Sequence, residues 1–538
     1  MKKKYVRWTL WTIASPFILF VILCILIYLP PIQNFLVDKA AVYASEATGM
    51  NISVGRISLS FPLNLVVTDV DAASPHNDTL LSVRRLQVNV QLLPLLKKQV
   101  EVDGISLQGA TVNSNDLIHG MKLNGTLGEL FISSHGVALD PETAIVNKVL
   151  LKDTDLSLCL NDTAAVDTAA SDTTYWKIIL QDIDLQNVSF ALDMPLDSLS
   201  LAASLDNAIL RDGLIDLHKS AYSLQTFRIE NGRVRYDNGK PLAADSLSSG
   251  LDPSHIALTD IGVKLDSLYY EGRNMKAIIS QFVLKERSGV EIVSATGRMV
   301  SNDKVLRVPS LKLETRDSYL ELNAAMDWNA LDFKGEGLVS ARLMADIGKP
   351  DVVRFMGSMD EKFIRQYPSE PLRIRTGIDG DLNKLKLTTL TAELPGALGL
   401  FARGELTHLT DSLLRGGDIT LEAETKDLKF VSTLAEGIEI PYGTRLEGKF
   451  TMAGAKMGTD LLLMQPEAQA VAAADTIPIT VYNDSISVAD DFKMERAARL
   501  FAKYDLSRDR YEADLAVNHF DLHQFMPADS LYLSLIHI

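Results

Sequence analysis

The chain has 538 residues and a formal net charge of −16 at pH 7, because 69 Asp and Glu outnumber 53 Lys and Arg. Such a chain is long enough for several domains. Its acidic balance argues against a nucleic-acid partner, which needs a basic face. The two cysteines, Cys24 and Cys159, lie in distant segments, so the sequence predicts no disulfide framework.

The N-terminus has the charge pattern of a membrane anchor. Four basic residues within the first seven positions precede an uncharged run over 8–29, which is long enough to cross a bilayer as a helix. The basic flank predicts that residues 1–7 form a cytoplasmic tail and that the rest lies beyond the membrane, which in a bacterium is the periplasm. The anchor residues expected to contact the membrane are Trp8, Trp11, Phe17, Phe20, Tyr28 and Leu29.

A cleaved signal peptide is the alternative to an anchor. Its apolar core should be shorter and should end in a small-residue cleavage site, whereas this run ends at Pro30-Pro31. We therefore predict an uncleaved, single-pass anchor in a bacterial inner membrane. An apolar pattern with helical spacing then predicts an amphipathic helix over 31–49 that stops at Thr48-Gly49.

A short sequence pattern typical of a β-strand recurs farther along the chain. In residues 100–107 every second position is apolar, the alternation is interrupted at Asp103-Gly104, and it then resumes. Residues 178–185 repeat this strand phrase, and residues 149–156 are a looser copy of it. Alternation places one face of a strand on an apolar surface, and the break shifts the phase by one residue, as a β-bulge does. The candidate residues for the apolar face are Val100, Val102, Ile105, Leu107, Ile178, Leu180, Ile183 and Leu185.

These phrases predict a mainly β protein, built as an elongated, repetitive and curled antiparallel β-sheet with few helices. The sheet should occupy 50–345 and 371–532, with a helical insertion over 346–370 that acts as a lid or plug. Two arrangements of the apolar face stay open: a sandwich with a dry core, or a groove whose floor is covered by guest molecules.

No motif in the sequence predicts catalysis. The chain has no Walker-type loop, no His-Glu-x-x-His and no Gly-x-Ser-x-Gly elbow, so we predict a protein that is not an enzyme and needs no cofactor. His519 and His523 have the i, i+4 spacing of metal ligands, but a third ligand is not evident, and we predict no metal site. The last six residues, 533–538, match a translated sequencing adaptor, and we expect them to be an artefact.

The opening of the chain carries a family resemblance. It consists of the anchor, the helix ending at Thr48-Gly49, the segments 54–63 and 67–70, and the strand phrases 80–88 and 100–112. Together these resemble AsmA-like proteins, and in particular their TamB branch, the inner-membrane component of the translocation and assembly module. The resemblance is best over residues 1–112. It continues more weakly to about residue 530, where it consists of the recurring strand pattern. TamB proteins carry a diagnostic C-terminal domain that this chain lacks, so TamB and a plainer AsmA relative both stay open.

The resemblance implies an inner-membrane-anchored periplasmic protein of envelope biogenesis. Its apolar β-groove would carry phospholipids between the inner and outer membranes. The alternative that the resemblance implies is an assembly factor for outer-membrane proteins, with a TamA-like barrel protein as its partner. An envelope enzyme such as a glycan hydrolase is a third hypothesis, which no candidate site supports.

Overall fold

The computed structural model describes residues 39, 41, 42, 45, 49–60, 64–74, 78–90, 102–114, 120–138, 142–161, 175–240, 250–332, 337–356, 360–434, 439–466, 479–482, 485–488 and 494–518. This part of the chain is mainly β with few helices, which confirms the fold class predicted from the alternating pattern. It divides into two compact units. Unit 1 comprises Met1–Pro241 and Ser254–Glu271, and unit 2 comprises Leu242–Pro253 and Gly272–Ile538.

The described residues of unit 1 form eleven strands in one sheet. They are β1 (Asn51–Ser60), β2 (Asn64–Ala73), β3 (Thr79–Val90), β4 (Val102–Asn113), β5 (Met121–Ala138), β6 (Thr143–Leu160), β7 (Lys177–Met194), β8 (Leu199–Asp216), β9 (Ala221–Leu224), β10 (Thr226–Asp237) and β11 (His255–Glu271). Consecutive strands pair from β1 to β8. Beyond β8, the short β9 and the longer β10 together lie between β8 and β11.

One pairing departs from the predicted antiparallel sheet. Strands β6 and β7 are parallel, with Thr143 opposite Lys177 and Cys159 opposite Asp193. Parallel neighbours need a crossover connection of a dozen or more residues, and 161–176 provide it. The prediction was wrong here because alternation along a strand does not encode the direction of its neighbour.

Unit 2 contains a second series of strands, each antiparallel to the next. They are β12 (Asn274–Glu286), β13 (Glu291–Ser301), β14 (Val305–Thr315), β15 (Tyr319–Asp327), β16 (Leu338–Ile347), β17 (Leu372–Asp381), β18 (Lys384–Leu394), β19 (Leu398–Thr407), β20 (Gly416–Thr425), β21 (Arg445–Ala453), β22 (Lys456–Pro466), β25 (Met494–Asp505) and β26 (Arg510–Val517). Strands β23 (Ile479–Tyr482) and β24 (Ser485–Val488) form a separate hairpin.

The helices of unit 2 are short. They are α1 (Trp328–Leu331), α2 (Lys349–Met356) and α3 (Glu361–Gln366), and 3₁₀ turns occur in unit 1 at Pro195–Asp197 and in unit 2 at Lys429–Thr433. The helical insertion predicted over 346–370 contains α2 and α3. Asp360 accepts a hydrogen bond from the Lys362 amide and caps the start of α3.

The main hydrophobic core lies beside α3 in unit 2. The rings of Phe363, Tyr367 and Phe430 meet with centroids 5.1–5.7 Å apart, and Leu394, Ala397 and Leu428 are buried with them. The predicted plug thus buries Phe363 and Tyr367, while Phe355 stays 58 % exposed. Neither hydrophobic cluster found among the described residues lies in unit 1.

The predicted anchor over 8–29, with its residues Trp8, Trp11, Phe17, Phe20, Tyr28 and Leu29, lies outside the described residues. Among the residues that are described, no helix is long and apolar enough to span a bilayer. Lys39, Ala41, Val42 and Ser45 are helical, and the Gly49 amide donates to the Ser45 carbonyl, 2.9 Å away, at the predicted stop.

Candidate functional site: the apolar face of unit 1

A continuous row of apolar side chains crosses the sheet of unit 1. We name it the central stripe; it takes two residues from each of ten strands, β1 to β8, β10 and β11. The register places these pairs opposite one another from strand to strand. Its members are Ile57, Leu59, Leu65, Val67, Leu86, Val88, Ile105, Leu107, Leu130, Ile132, Val149, Leu151, Ile183, Leu185, Ala208, Leu210, Phe227, Ile229, Val263 and Leu265.

The central stripe stays in contact with solvent in the described structure. Ala208 is its only buried member, at 4 % exposure; Ile105 is exposed, and the others are half-buried. The dry interior of a sandwich would bury most of these side chains. The described residues of unit 1 include no buried hydrophobic cluster of the kind that such an interior forms.

A line of turn-forming residues borders the central stripe, and we name it the first crease. The pairs Gln108–Glu129 and Ala110–Leu127, for example, leave Gly109 opposite Gly128. The same relation holds on each neighbouring strand, so one residue per strand falls on the line. The members are Gly55, Asp69, Arg84, Gly109, Gly128, Asp153, Asn187, Asp206 and Asn231.

The backbone of the first crease follows strand direction. Strands β2, β4, β6, β7 and β10 run one way, and their crease residues all have left-handed φ values of +50° to +62°. The residues on the oppositely directed strands β1, β3, β5 and β8 keep ordinary φ values. Asp, Asn and Gly tolerate the left-handed region better than other residues, which explains the residue types at these five left-handed positions.

The crease keeps the apolar side chains on one face. In β1 the exposed and half-buried residues alternate, except that Gly55 and Arg56 are both exposed. The same double exposure occurs at Lys152 and Asp153 in β6, and at Gln186 and Asn187 in β7. Two consecutive residues on the polar face shift the alternation by one, so apolar residues before and after the crease share the other face.

A second crease lies six positions along the strands from the first. It includes Asn147 (six before Asp153), Gln181 (six before Asn187) and Asp212, whose φ is +51°. The Asn147 amide donates to Gln181 Oε1 at 2.8 Å. The break predicted at Asp103-Gly104 also falls on this line, and the register between β3 and β4 shifts there by one residue, as expected of a bulge.

The opposite face of the sheet carries the charges. Behind the central stripe, Arg211 forms ion pairs with Asp182 and with Asp184, the latter at 2.8 Å, and it also donates to the Ile183 carbonyl. On the first crease, Asn187 donates to Asp153 Oδ1 at 2.9 Å. The central stripe itself contains no polar side chain, so it offers a ligand dispersion and hydrophobic contacts only.

The eight residues proposed from sequence divide among three places. Ile105, Leu107, Ile183 and Leu185 lie in the central stripe, on strands separated by β5 and β6. Ile178 and Leu180 lie beyond the second crease, in a neighbouring apolar row. Val100 lies outside the described residues, and Val102 belongs to β4 although its side chain is outside the described part.

Sequence reasoning missed the creases as lines across the sheet. The apolar positions 178, 180, 183, 185, 188 and 190 of β7 repeat every five residues, and β4, β6 and β8 show the same spacing. That five-residue period was the available signal. The looser copy at 149–156 breaks at the first crease, whereas the phrases at 100–107 and 178–185 break at the second.

Comparison with known proteins adds no relative to this description. No protein-family model matches the chain, and no curated protein matches it either.

Proposed function

We propose that the protein binds the acyl chains of phospholipids on the apolar face of unit 1 and serves their transfer across the bacterial periplasm. The observation that carries this proposal is the central stripe, which is apolar over ten strands and uncovered among the described residues. A lipid supplies the missing apolar cover without requiring a second protein layer.

The chemistry of the stripe favours hydrocarbon over a protein partner. Protein interfaces typically combine aromatic or Arg anchors with a polar rim. The stripe contains one aromatic residue, Phe227, and no charge. Moving an acyl chain of sixteen carbons into water costs about 13 kcal/mol at ~0.8 kcal/mol per methylene group, so a continuous apolar surface would remove most of that barrier.

Sequence features of the N-terminus support a role beside a membrane. The predicted anchor over 8–29 would hold unit 1 beside the inner membrane, where phospholipids are available. The resemblance to AsmA-like and TamB proteins fits the same role. Phospholipids and the inner membrane are the partners that we propose.

Photo-cross-linking tests the proposal. A benzophenone amino acid placed at Leu107 or Leu185 in the full-length protein, purified from membranes, should yield phospholipid adducts by mass spectrometry. The same probe at Gln108 or Gln186, on the polar face of the same strands, is the matched control and should yield none. An equal yield at the two kinds of position, or none at either, contradicts the proposal.

Substitution gives a second measurement. Leu107→Asp and Leu185→Asp place a charge on the stripe, and we expect phospholipid that co-purifies with the protein to fall at least fivefold, because a carboxylate in contact with hydrocarbon loses its hydration. Ser106→Asp and Gln186→Asp place the same charge on the polar face and should leave the lipid content unchanged. Unchanged lipid in the Leu variants would contradict acyl-chain binding at this face.

Assembly of outer-membrane proteins with a TamA-like barrel protein is the second candidate. One observation favours it: among the described strands, β1 pairs with β2 alone, and on its other edge the Ile52 amide donates to Ser45 Oγ, so an added strand would pair farther along that edge, around Val54. Pull-down of a barrel protein should then succeed with Leu107→Asp and should be lost when Val54→Pro removes an amide from the outer edge of β1, because Val54 shares a face, and therefore an edge, with Ile52. A pull-down that Val54→Pro does not affect would contradict strand addition.

A further inference from the structure

We infer that the two creases bend the sheet of unit 1 toward its apolar face, and that the left-handed residues on them position that face for its ligand. This inference rests on the proposed function for the ligand. The bending itself follows from the backbone and the register. It makes Asn187 and its counterparts on neighbouring strands positioning residues, which touch no ligand themselves.

The direction of bending follows from the side-chain count on each face. At the first crease, two consecutive residues of one strand, such as Gln186 and Asn187, lie on the polar face. The polar face therefore carries more side chains than the apolar face over the same length of strand. A strand relieves that crowding by curving away from the crowded side, as bulged strands do, so the apolar face becomes concave.

The alignment of the crease across strands makes the bends cumulative. In a β-bulge two residues on one strand oppose one on its partner, and the register slips. At the first crease between β5 and β6 the register does not slip: Leu127 pairs with Thr154 and Glu129 pairs with Lys152. Every strand from β1 to β8 bends at the same level, so the sheet folds along a line instead of twisting.

Packing at the crease supports a close approach of the two backbones. A Cβ on Gly128 would lie 2.8 Å from the Cβ of Asp153, and one on Gly55 would lie 2.9 Å from the Cβ of Asp69. A left-handed residue thus faces a glycine in both pairs. At the parallel pair β6–β7 both residues are left-handed, and the Asn187 amide donates to Asp153 along the line of the crease.

Distance measurement between spin labels tests the inference. Labels on Cys at Ile178 and Leu192, both on the apolar face of β7, are placed in the full chain with Cys24→Ser and Cys159→Ser. A straight strand of this length would separate the two backbone positions by about 46 Å, at ~3.3 Å per residue. We expect the wild-type distance to be at least 10 Å shorter than this straight-strand value, because both creases lie between the labels.

Variants at Asn187 connect the bend to the crease. Asn187→Val opposes the left-handed backbone and should lengthen the distance, whereas Asn187→Gly permits that backbone and should keep the wild-type value. Gln186→Val is the matched control, because it adds the same side chain one residue away at an ordinary φ. If Asn187→Val does not fold, as judged by circular dichroism, Asn187→Ala replaces it and should give a smaller lengthening.

The outcomes separate the inference from the proposed function. A wild-type distance near the straight-strand value overturns the inference, and so does a folded Asn187→Val with an unchanged distance. If the distances behave as expected but no phospholipid co-purifies with the wild type, the proposed function is contradicted and the bending of the sheet is supported. If phospholipid co-purifies with the wild type but the distance equals the straight-strand value, the proposed function is supported and the bending is contradicted.

Discussion

Single residues on the creases decide the continuity of the apolar face. Where β7 continues past Asn187, ordinary alternation would turn Val188 and Phe190 to the polar side. A left-handed residue costs most side chains about 1–2 kcal/mol, and Asn, Asp and Gly less. The residue types on the crease were therefore visible in the sequence, but their alignment was not, because it depends on the register between strands.

Gly109 gives a direct test of this backbone requirement. Its φ is +62°, and an added Cβ would lie 3.2 Å from the Arg84 side chain, so Gly109→Ala should destabilise unit 1 by about 1–2 kcal/mol in urea unfolding. Gly213→Ala is the control, because Gly213 has an ordinary φ and its closest neighbour is the flexible end of the Leu210 side chain. Equal losses from the two substitutions would show that backbone conformation is not the cause.

A buried carboxylate in unit 2 predicts a pH dependence. Burial raises the pKa of Glu424, while Arg445 and Lys426 act in the opposite direction; the Arg445 guanidinium lies 3.7 Å from Oε2, too far for a short hydrogen bond. A raised pKa in the folded state means that this group destabilises the fold progressively as the pH rises through the range between its unfolded and folded pKa values, and most above both.

Glu424→Gln should remove that effect. We expect the variant to be more stable than the wild type at pH 7, with a difference that shrinks as the pH falls toward the ordinary Glu pKa, measured by urea unfolding at several pH values. The exposed Glu495→Gln is the control. A variant that is less stable than the wild type at pH 7 would mean that the ion pair with Arg445 outweighs the cost of burial.

Whole elements followed the sequence pattern where contacts are local. Strands β25 and β26 form a hairpin around 507–509, with Leu500 opposite Leu515 and Tyr504 opposite Tyr511, and the apolar alternation on both sides of that turn is visible in the sequence. The parallel pair β6–β7 was not predicted, because its partners come together only through the long connection over 161–176. The helical insertion over 346–370 carried a local signal too, because its apolar residues recur at helical spacing, and α2 and α3 lie within it.

The position of α2 depends on one buried carboxylate. Asp351 is 1 % exposed; it accepts hydrogen bonds from Thr315 Oγ1 and from Ser318 Oγ, the latter at 2.6 Å, and it pairs with Arg354 at 3.0 Å. Asp351→Ala would remove the buried acceptor that Thr315 and Ser318 share and would leave Arg354 with Asp317 as its one carboxylate partner, so we expect a loss of about 3 kcal/mol in the free energy of unfolding.

Two further variants check the role of Asp351. Asp351→Asn keeps one acceptor oxygen and should lose less than Asp351→Ala. Glu361→Ala, at the exposed start of α3, should change stability by less than about 0.5 kcal/mol. A loss from Asp351→Ala no larger than that of Glu361→Ala would show that the hydrogen-bond network does not hold α2.

At the scale of the molecule, the two units bury apolar surface differently. Unit 2 encloses the aromatic cluster around Phe363, whereas the described residues of unit 1 form a sheet whose apolar face remains half-exposed. Exposed apolar patches of this extent are uncommon on soluble proteins and indicate a binding surface. The proposal of lipid binding follows from this contrast, and the bend at the creases gives it a geometric form that can be measured.

The sequence by itself determined that the chain is mainly β, that its strands have one apolar face, and that Ile105, Leu107, Ile183 and Leu185 belong to that face. These properties depend on alternation within a strand, which is a local property of the backbone. Only the tertiary structure decided that β6 and β7 are parallel, that the phase shifts align into creases, and that no described layer covers the stripe. Strand pairing joins residues far apart in the chain, and no local pattern specifies which residues will be opposite one another.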